Sequence, residues 1–198
     1  MALVVITGAA RSGKSAVAQM LAGSSAGPVT VAVFASAVGD AEMAERISRH
    51  RAERPGDWTT LEATDSVEWT ERVGEGTLML DCLGTLLSMI MAEVDAEYTT
   101  RGESLSAADA LPPGFEEEVE RRFVPLLGWL ARRIDNTVVV TNEAGWGVVP
   151  AYPAGRVFRD LLGRGNRALI DRAQAAHLVV GGRCIDLTGL PKEVSWPR

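Results

Sequence analysis

The chain has 198 residues and carries 20 basic and 26 acidic side chains, a formal charge of −6. That length suits one α/β domain spanning 1–198, and a chain of this size buries about 70% of the surface its unfolded form exposes, so its core needs no disulfide or metal. The acidic balance argues against non-specific nucleic-acid binding, which shows a basic footprint, and leaves room for a local basic pocket. Cys82 and Cys184 form neither a C-x-x-C pair nor a disulfide framework, and are expected to be buried, reduced thiols. No apolar run reaches the ~18 residues of a membrane span. The N-terminus lacks a basic leader and a cleavage pattern, so the expected location is the cytoplasm.

In chain order, Ala2 to Thr7 is a short apolar run ending at glycine and reads as a fully buried parallel strand. Ser12 to Leu21 carries Val17, Met20 and Leu21 at helical spacing, and Val29 to Phe34 reads as a second strand. Asp40 to Arg51 is helical in pattern, with Met43 and Ile47 on one face, and Arg54-Pro55-Gly56-Asp57 breaks the chain. Thr77 to Cys82 is a third strand and Leu83 to Val94 an apolar helix. Thr99 to Pro113 is polar with Gly and Pro and reads as a lid-like loop. Phe115 to Ile134 is an amphipathic helix in which Pro125 predicts a kink or a split. Thr137 to Thr141 is a fourth strand, Arg156 to Ala175 a helix, and Leu178 to Val180 opens a fifth strand. Strands alternating with helices predict a mostly parallel sheet covered on both faces.

The pattern from Gly8 through Ala9, Ala10, Arg11, Ser12 and Gly13 to Lys14 and Ser15 is G-x-x-x-x-G-K-S, placed after a strand and at the start of a helix. Glycines let the backbone curl so that successive N–H groups face a phosphate, and the helix N-terminus adds partial positive charge. Lys14 is the candidate for the β- and γ-phosphates and Ser15 for Mg²⁺. Asp81 ends the third strand, where a carboxylate serves the same Mg²⁺, the N-cap of the next helix, or both at once.

Arg46, Arg49, Arg51 and Arg54 crowd around His50. Such a patch suits a triphosphate. Neighbouring positive charge favours neutral imidazole, a usable nucleophile; the same pattern also fits a solvated basic helix end. His177, at the entry to the last strand, reads as structural.

These blocks resemble the bifunctional adenosylcobinamide kinase/adenosylcobinamide-phosphate guanylyltransferases of cobalamin biosynthesis, from residue 3 to about residue 183. The resemblance rests on Thr7 to Ser15 and on Glu42 to Glu62, which follows the family's E-M-x-x-R-I-x-x-H-[RK]-x-x-R-P-x-x-W-x-T-x-E. It rests also on Leu80-Asp81-Cys82-Leu83 and on Thr141 to Pro150, followed by Arg156, Phe158-Arg159-Asp160, Gly163 and Asn166. The resemblance implies a P-loop NTPase fold with a RecA-like, mostly parallel sheet covered by helices. It implies two reactions, phosphorylation of adenosylcobinamide by ATP or GTP, and GMP transfer from GTP through a phosphoramidate on His50. It also implies a homo-oligomer, a trimer. Lys14 and the loop would neutralise the transferring phosphates, Ser15 and Asp81 would position Mg²⁺, and Arg51, Arg54 and Glu62 are the further nucleotide-binding candidates, Glu62 for a guanine or ribose edge. The chain departs from the family after Leu83, where Gly84 and Met89 replace a threonine and an asparagine, and at Arg167 and His177. The alternative reading is a one-reaction P-loop kinase for another small alcohol, with His50 structural.

Overall fold

The computed structural model describes residues 2–34, 54–102 and 110–193. The helix expected over Asp40 to Arg51, with His50 and Arg51 on it, lies outside the described residues, as do positions 103–109 of the expected lid.

Seven strands form one sheet: β1 (Leu3–Gly8), β2 (Val29–Val33), β3 (Thr59–Glu62), β4 (Thr77–Asp81), β5 (Thr137–Val140), β6 (Ala175–Val180) and β7 (Arg183–Asp186). Their order across the sheet is β3-β2-β4-β5-β1-β6-β7. All neighbours run parallel except the terminal β6–β7 pair. Strand β5 therefore separates β1, which leads into the glycine-rich loop, from β4, which ends at Asp81, the RecA-like arrangement that the resemblance implies.

Alternate residues of each central strand serve opposite faces. Ile6, Met79, Val138 and Val140 pack with Ala18 and Ala22 of α1 (Lys14–Gly23). Val5, Leu78, Leu80 and Val139 pack into a larger cluster on the other face. That cluster is closed by α2 (Leu83–Thr100), α3 (Phe115–Arg132) and α4 (Pro153–Ile170). Burial on both faces explains why β1, β4 and β5 read as unbroken apolar runs.

Several expected elements shift. Helix α2 runs six residues beyond Val94, because Tyr98 is buried there and its hydroxyl donates to the Pro113 carbonyl at 3.1 Å. Helix α3 passes through Pro125 without a break. A mid-helix proline costs about 3 kcal/mol; Phe123, Leu126, Leu127 and Leu130 are buried on both sides of it and hold the halves in line. Helix α4 starts at Pro153, a residue suited to a first helical turn, and ends at Ile170, leaving Ala175 to open β6. Strands β3 and β7 are additions to the expected set. Cys184 is exposed on β7, an edge strand beyond the cover of the helices, and so departs from the expected buried thiol, while Cys82 is half-buried; both are free thiols.

Candidate nucleotide site

The loop between β1 and α1 is shaped by its backbone. Gly8 has φ 152° and Gly13 φ 97°, and Arg11, at φ 57°, takes the left-handed region between them. A side chain on Gly8 would overlap the Val179 carbonyl of β6, so only glycine lets the loop start there. Helix α1 has neither a side-chain cap nor an acidic residue in its first turn. Its N-terminal N–H groups and dipole are thus left to an anion. Lys14 is buried, and its Nζ donates to the Ala9 carbonyl at 2.7 Å, which holds the ammonium across the loop. The Ser12 Oγ is buried inside the loop without a hydrogen-bond partner among the described residues. A buried hydroxyl in that condition suits a ligand that brings its own acceptor.

Ser15 opens the first turn of α1, and its Oγ donates to Asp81 Oδ1 at 3.3 Å. The cap of α2 is not Asp81. Cys82 takes that position, with the Thr85 hydroxyl accepting from the Cys82 N–H at 3.1 Å and donating to its carbonyl at 2.8 Å. The Asp81 carboxylate is thereby left to Ser15. A hydroxyl and a carboxylate oxygen are hard donors of the type Mg²⁺ takes when substrate phosphates complete its shell. No cluster of three or more acidic, His or Cys side chains suited to a metal occurs among the described residues.

The structure adds a network that the sequence reading did not single out. Thr141, fully buried after β5, donates to Asn166 Oδ1 at 2.6 Å. Asn166, on α4 and 4% exposed, donates to the Asn142 carbonyl at 2.9 Å and to Glu143 Oε1 at 3.4 Å. Glu143 Oε1 also accepts from the Thr7 hydroxyl at 2.5 Å, and the Glu143 N–H donates to the Gly8 carbonyl at 3.2 Å. The Asn142-Glu143 segment is thus tied to the first residue of the phosphate loop and to α4. On its other side, Asn142 Nδ2 points at the Cys82 sulfur at 3.9 Å, beside Asp81. The sequence signal was Asn142-Glu143 and Asn166 standing in one matching block; their contact with Thr7 was not visible. At the departure site Gly84, a side chain would meet Asn142 and Phe158 at ordinary contact distances, so glycine there leaves room rather than avoiding a clash.

Arg54 and Glu62 stand elsewhere. Arg54 donates to the Thr60 hydroxyl at 3.3 Å, and Glu62 ends β3, the far edge strand. Four strand spacings separate β3 from β1, about 19 Å at roughly 4.8 Å each. The described residues therefore bring Lys14, Ser15 and Asp81 together and set Arg54 and Glu62 at the β3 edge, where Glu62 ends its strand two strand spacings from Asp81, about 10 Å at roughly 4.8 Å each. His177 lies within β6, opposite Asp186 of β7.

A strand, a glycine-rich loop and an uncapped helix, with a carboxylate two strands away, define a P-loop nucleotide-binding protein of the α/β class. The family described as cobinamide kinase / cobinamide phosphate guanyltransferase matches residues 4–187, and the chain belongs to it. The bifunctional adenosylcobalamin biosynthesis protein CobU of Salmonella typhimurium is 31% identical over 183 residues, covering 91% of this chain and 96% of that protein. The CobU protein of Escherichia coli matches with the same identity and coverage. The bifunctional adenosylcobalamin biosynthesis protein CobP of Pseudomonas aeruginosa is 34% identical over 190 residues, covering 94% of this chain and 98% of that protein. The family named from the sequence blocks is the family that matches. No helix among the described residues is long and apolar enough to cross a membrane.

Proposed function

We propose that this chain phosphorylates adenosylcobinamide and then transfers GMP from GTP to the product, giving adenosylcobinamide-GDP, with both activities on one domain. The observation that carries the phosphoryl-transfer chemistry is the meeting of Ser15 and Asp81 beside a loop that already folds Lys14 across its mouth. The choice of substrates rests on relatives that match over nearly their whole length.

In the first reaction the acceptor hydroxyl oxygen attacks the γ-phosphorus, and the bond to the bridging oxygen of the β-phosphate breaks. Lys14 exchanges the Ala9 carbonyl for phosphate oxygens, and with the loop N–H groups offsets the charge that develops on them. Ser15 and Asp81 are the residues that would hold Mg²⁺, which supplies charge neutralisation on the phosphates. Gly8, Ala9, Ala10, Arg11, Ser12 and Gly13 complete the cradle. In the second reaction a neutral ring nitrogen of His50 attacks the α-phosphorus of GTP, and pyrophosphate leaves. A phosphate oxygen of the phosphorylated acceptor then displaces the histidine, breaking the P–N bond and restoring the neutral ring. Splitting the transfer in this way replaces one hard step by two easier ones. Arg51, Arg54 and Glu62 are assigned to nucleotide contacts around His50, Glu62 to a guanine or ribose edge. We place the enzyme in the cytoplasm as a homo-oligomer, a trimer by resemblance.

The test is incubation with Mg²⁺ and GTP labelled at the α-phosphate, followed by denaturation and measurement of bound label, with His50→Ala alongside. Acid-labile, alkali-stable label on the wild type alone is the expected result. Intact GTP binding without label would reduce the chain to a one-reaction kinase with a structural His50.

A further inference from the structure

The β6–β7 hairpin makes contacts that sheet pairing alone does not require. Its turn residues Gly181 and Gly182 have φ of 55° and 75°, the left-handed pair that a tight hairpin needs. The turn is seated on the phosphate loop: the Gly182 N–H donates to the Ser12 carbonyl at 2.8 Å. A side chain on Gly13 would come within 3.2 Å of the Gly182 Cα. With Val179 lying directly against Gly8, β6 and its turn back the loop from its first glycine to its last.

Arg183 follows the turn and is exposed. Its side chain has no hydrogen bond or ion pair among the described residues. Arg11, which precedes Ser12 in the chain, is exposed and in the same condition. The two residues that carry these cations adjoin the partners of one backbone contact and have no acidic partner among the described residues, in a chain of net charge −6. Exposed cations so placed attract an anion held by the loop.

The sheet order fixes which part of a nucleotide reaches this corner. Strands β5 and β4 lie on one side of β1 and strands β6 and β7 on the other. Asp81 and Ser15 mark the β4 side as the end for the terminal phosphates. The α-phosphate and nucleoside then leave the loop toward β6. We propose that the β6–β7 hairpin is the nucleoside-side wall of the nucleotide site in the phosphate loop, distinct from the contacts around His50 assigned to Arg54 and Glu62, and that Arg183 is the cation that meets the α-phosphate held by that loop. The assignment rests on the nucleotide-binding reading given above. It adds a ligand-binding residue from a strand that the P-loop pattern does not include.

Calorimetric titration of the full chain with GTP, GMP and pyrophosphate tests it, for the wild type, Arg183→Ala and Arg183→Lys. Arg183→Ala is expected to weaken GTP and GMP binding about tenfold, the scale of one charge-assisted hydrogen bond. Pyrophosphate, which occupies the terminal positions, is expected to keep its affinity, and Arg183→Lys to recover part of the loss. Arg183 is exposed, so an unchanged urea midpoint checks that the variants are folded. Unchanged GMP affinity in Arg183→Ala, or an equal loss for pyrophosphate, overturns the assignment. A wild type that binds none of the three ligands instead sinks the nucleotide-binding reading itself.

Discussion

The buried network behind the phosphate loop allows a quantitative test through Asn166→Leu. The substitution keeps the four-heavy-atom, Cγ-branched shape of the side chain and removes every polar atom. Thr141 is 0% exposed, so its hydroxyl loses the 2.6 Å partner and gains no water. The Asn142 carbonyl loses its 2.9 Å donor, and Glu143 keeps only Thr7. An orphaned buried polar group costs about 1–3 kcal/mol. One fully buried hydroxyl and one half-buried carbonyl together set the expected loss at about 2–4 kcal/mol, or roughly 5–15 °C in Tm for a chain of this length. Thr141→Val alone strands Asn166 Oδ1 instead and is expected to cost about 1–3 kcal/mol. The double variant removes both ends of the hydrogen bond. It is expected to be more stable than the sum of the single losses by about 1–2 kcal/mol. Urea midpoints for the four proteins give this coupling directly. Additivity within about 0.5 kcal/mol would refute the reasoning, because two residues that share a buried hydrogen bond cannot act independently.

Asp81→Asn keeps an oxygen for Ser15 and removes the charge, so nucleotide binding is expected to survive while phosphoryl transfer falls about a hundredfold or more; equal loss of binding and turnover would show that Asp81 serves binding alone. Gly165→Ala puts a methyl 2.7 Å from Phe123 Cε1 where α3 and α4 meet, and overpacking of this kind costs about 1–3 kcal/mol; a raised urea midpoint would show that the helices can part without strain. The Glu118 carboxyl is held down to about 2, first by the hydrogen bond from Arg121 and then by that from Arg122. A depressed carboxylate stabilises above its unfolded pKa of about 4.3 and loses that contribution as pH falls toward the folded value. Arg121 is 70% exposed, so after solvent screening the contribution is about 0.5–1 kcal/mol. Glu118→Gln is therefore expected to be less stable than the wild type at pH 7 and to match it near pH 2, and a gap of constant size across that range would refute the pairing.

What the sequence made legible follows from how local each signal is. The strand, loop and helix around Lys14 lie in one short stretch, and the loop was readable there because its geometry is set by its own glycines. Strands β4 and β5 were readable because burial on both faces leaves no polar residue to interrupt them. Strand β3 was not: only Leu61 of its four residues is buried, so the strand forms by hydrogen bonding to β2 and shows no apolar run. Strand β7 is exposed along its whole length and exists because the Gly181-Gly182 turn folds it back on β6. The ends of α2 and α4 were misjudged for a related reason. Tyr98 extends α2 through a contact with Pro113, fifteen residues away, and Pro153 starts α4 three residues before Arg156, where the helical pattern begins.

The same distinction separates the parts of the site. Lys14 and Ser15 sit on the motif itself, and Asp81 was found because a strand end is a recognisable place. The Thr7–Glu143–Asn166 contacts join residues 136 and 23 positions apart, and no local pattern encodes such a meeting. Sheet order creates it: β5 lies against β1, so whatever follows Val140 must lie beside whatever follows Ile6. The β6–β7 turn reaches the loop for the matching reason on the other side of β1. A phosphate loop in this fold is therefore held between two neighbours. One ties it to the carboxylate side through Glu143, and the other supports it through Gly182. A ligand that tightens the loop should stiffen both neighbours together, so hydrogen exchange at Gly182 and Glu143 should slow in parallel when nucleotide binds. Protection at one without the other would show that the loop is supported from a single side.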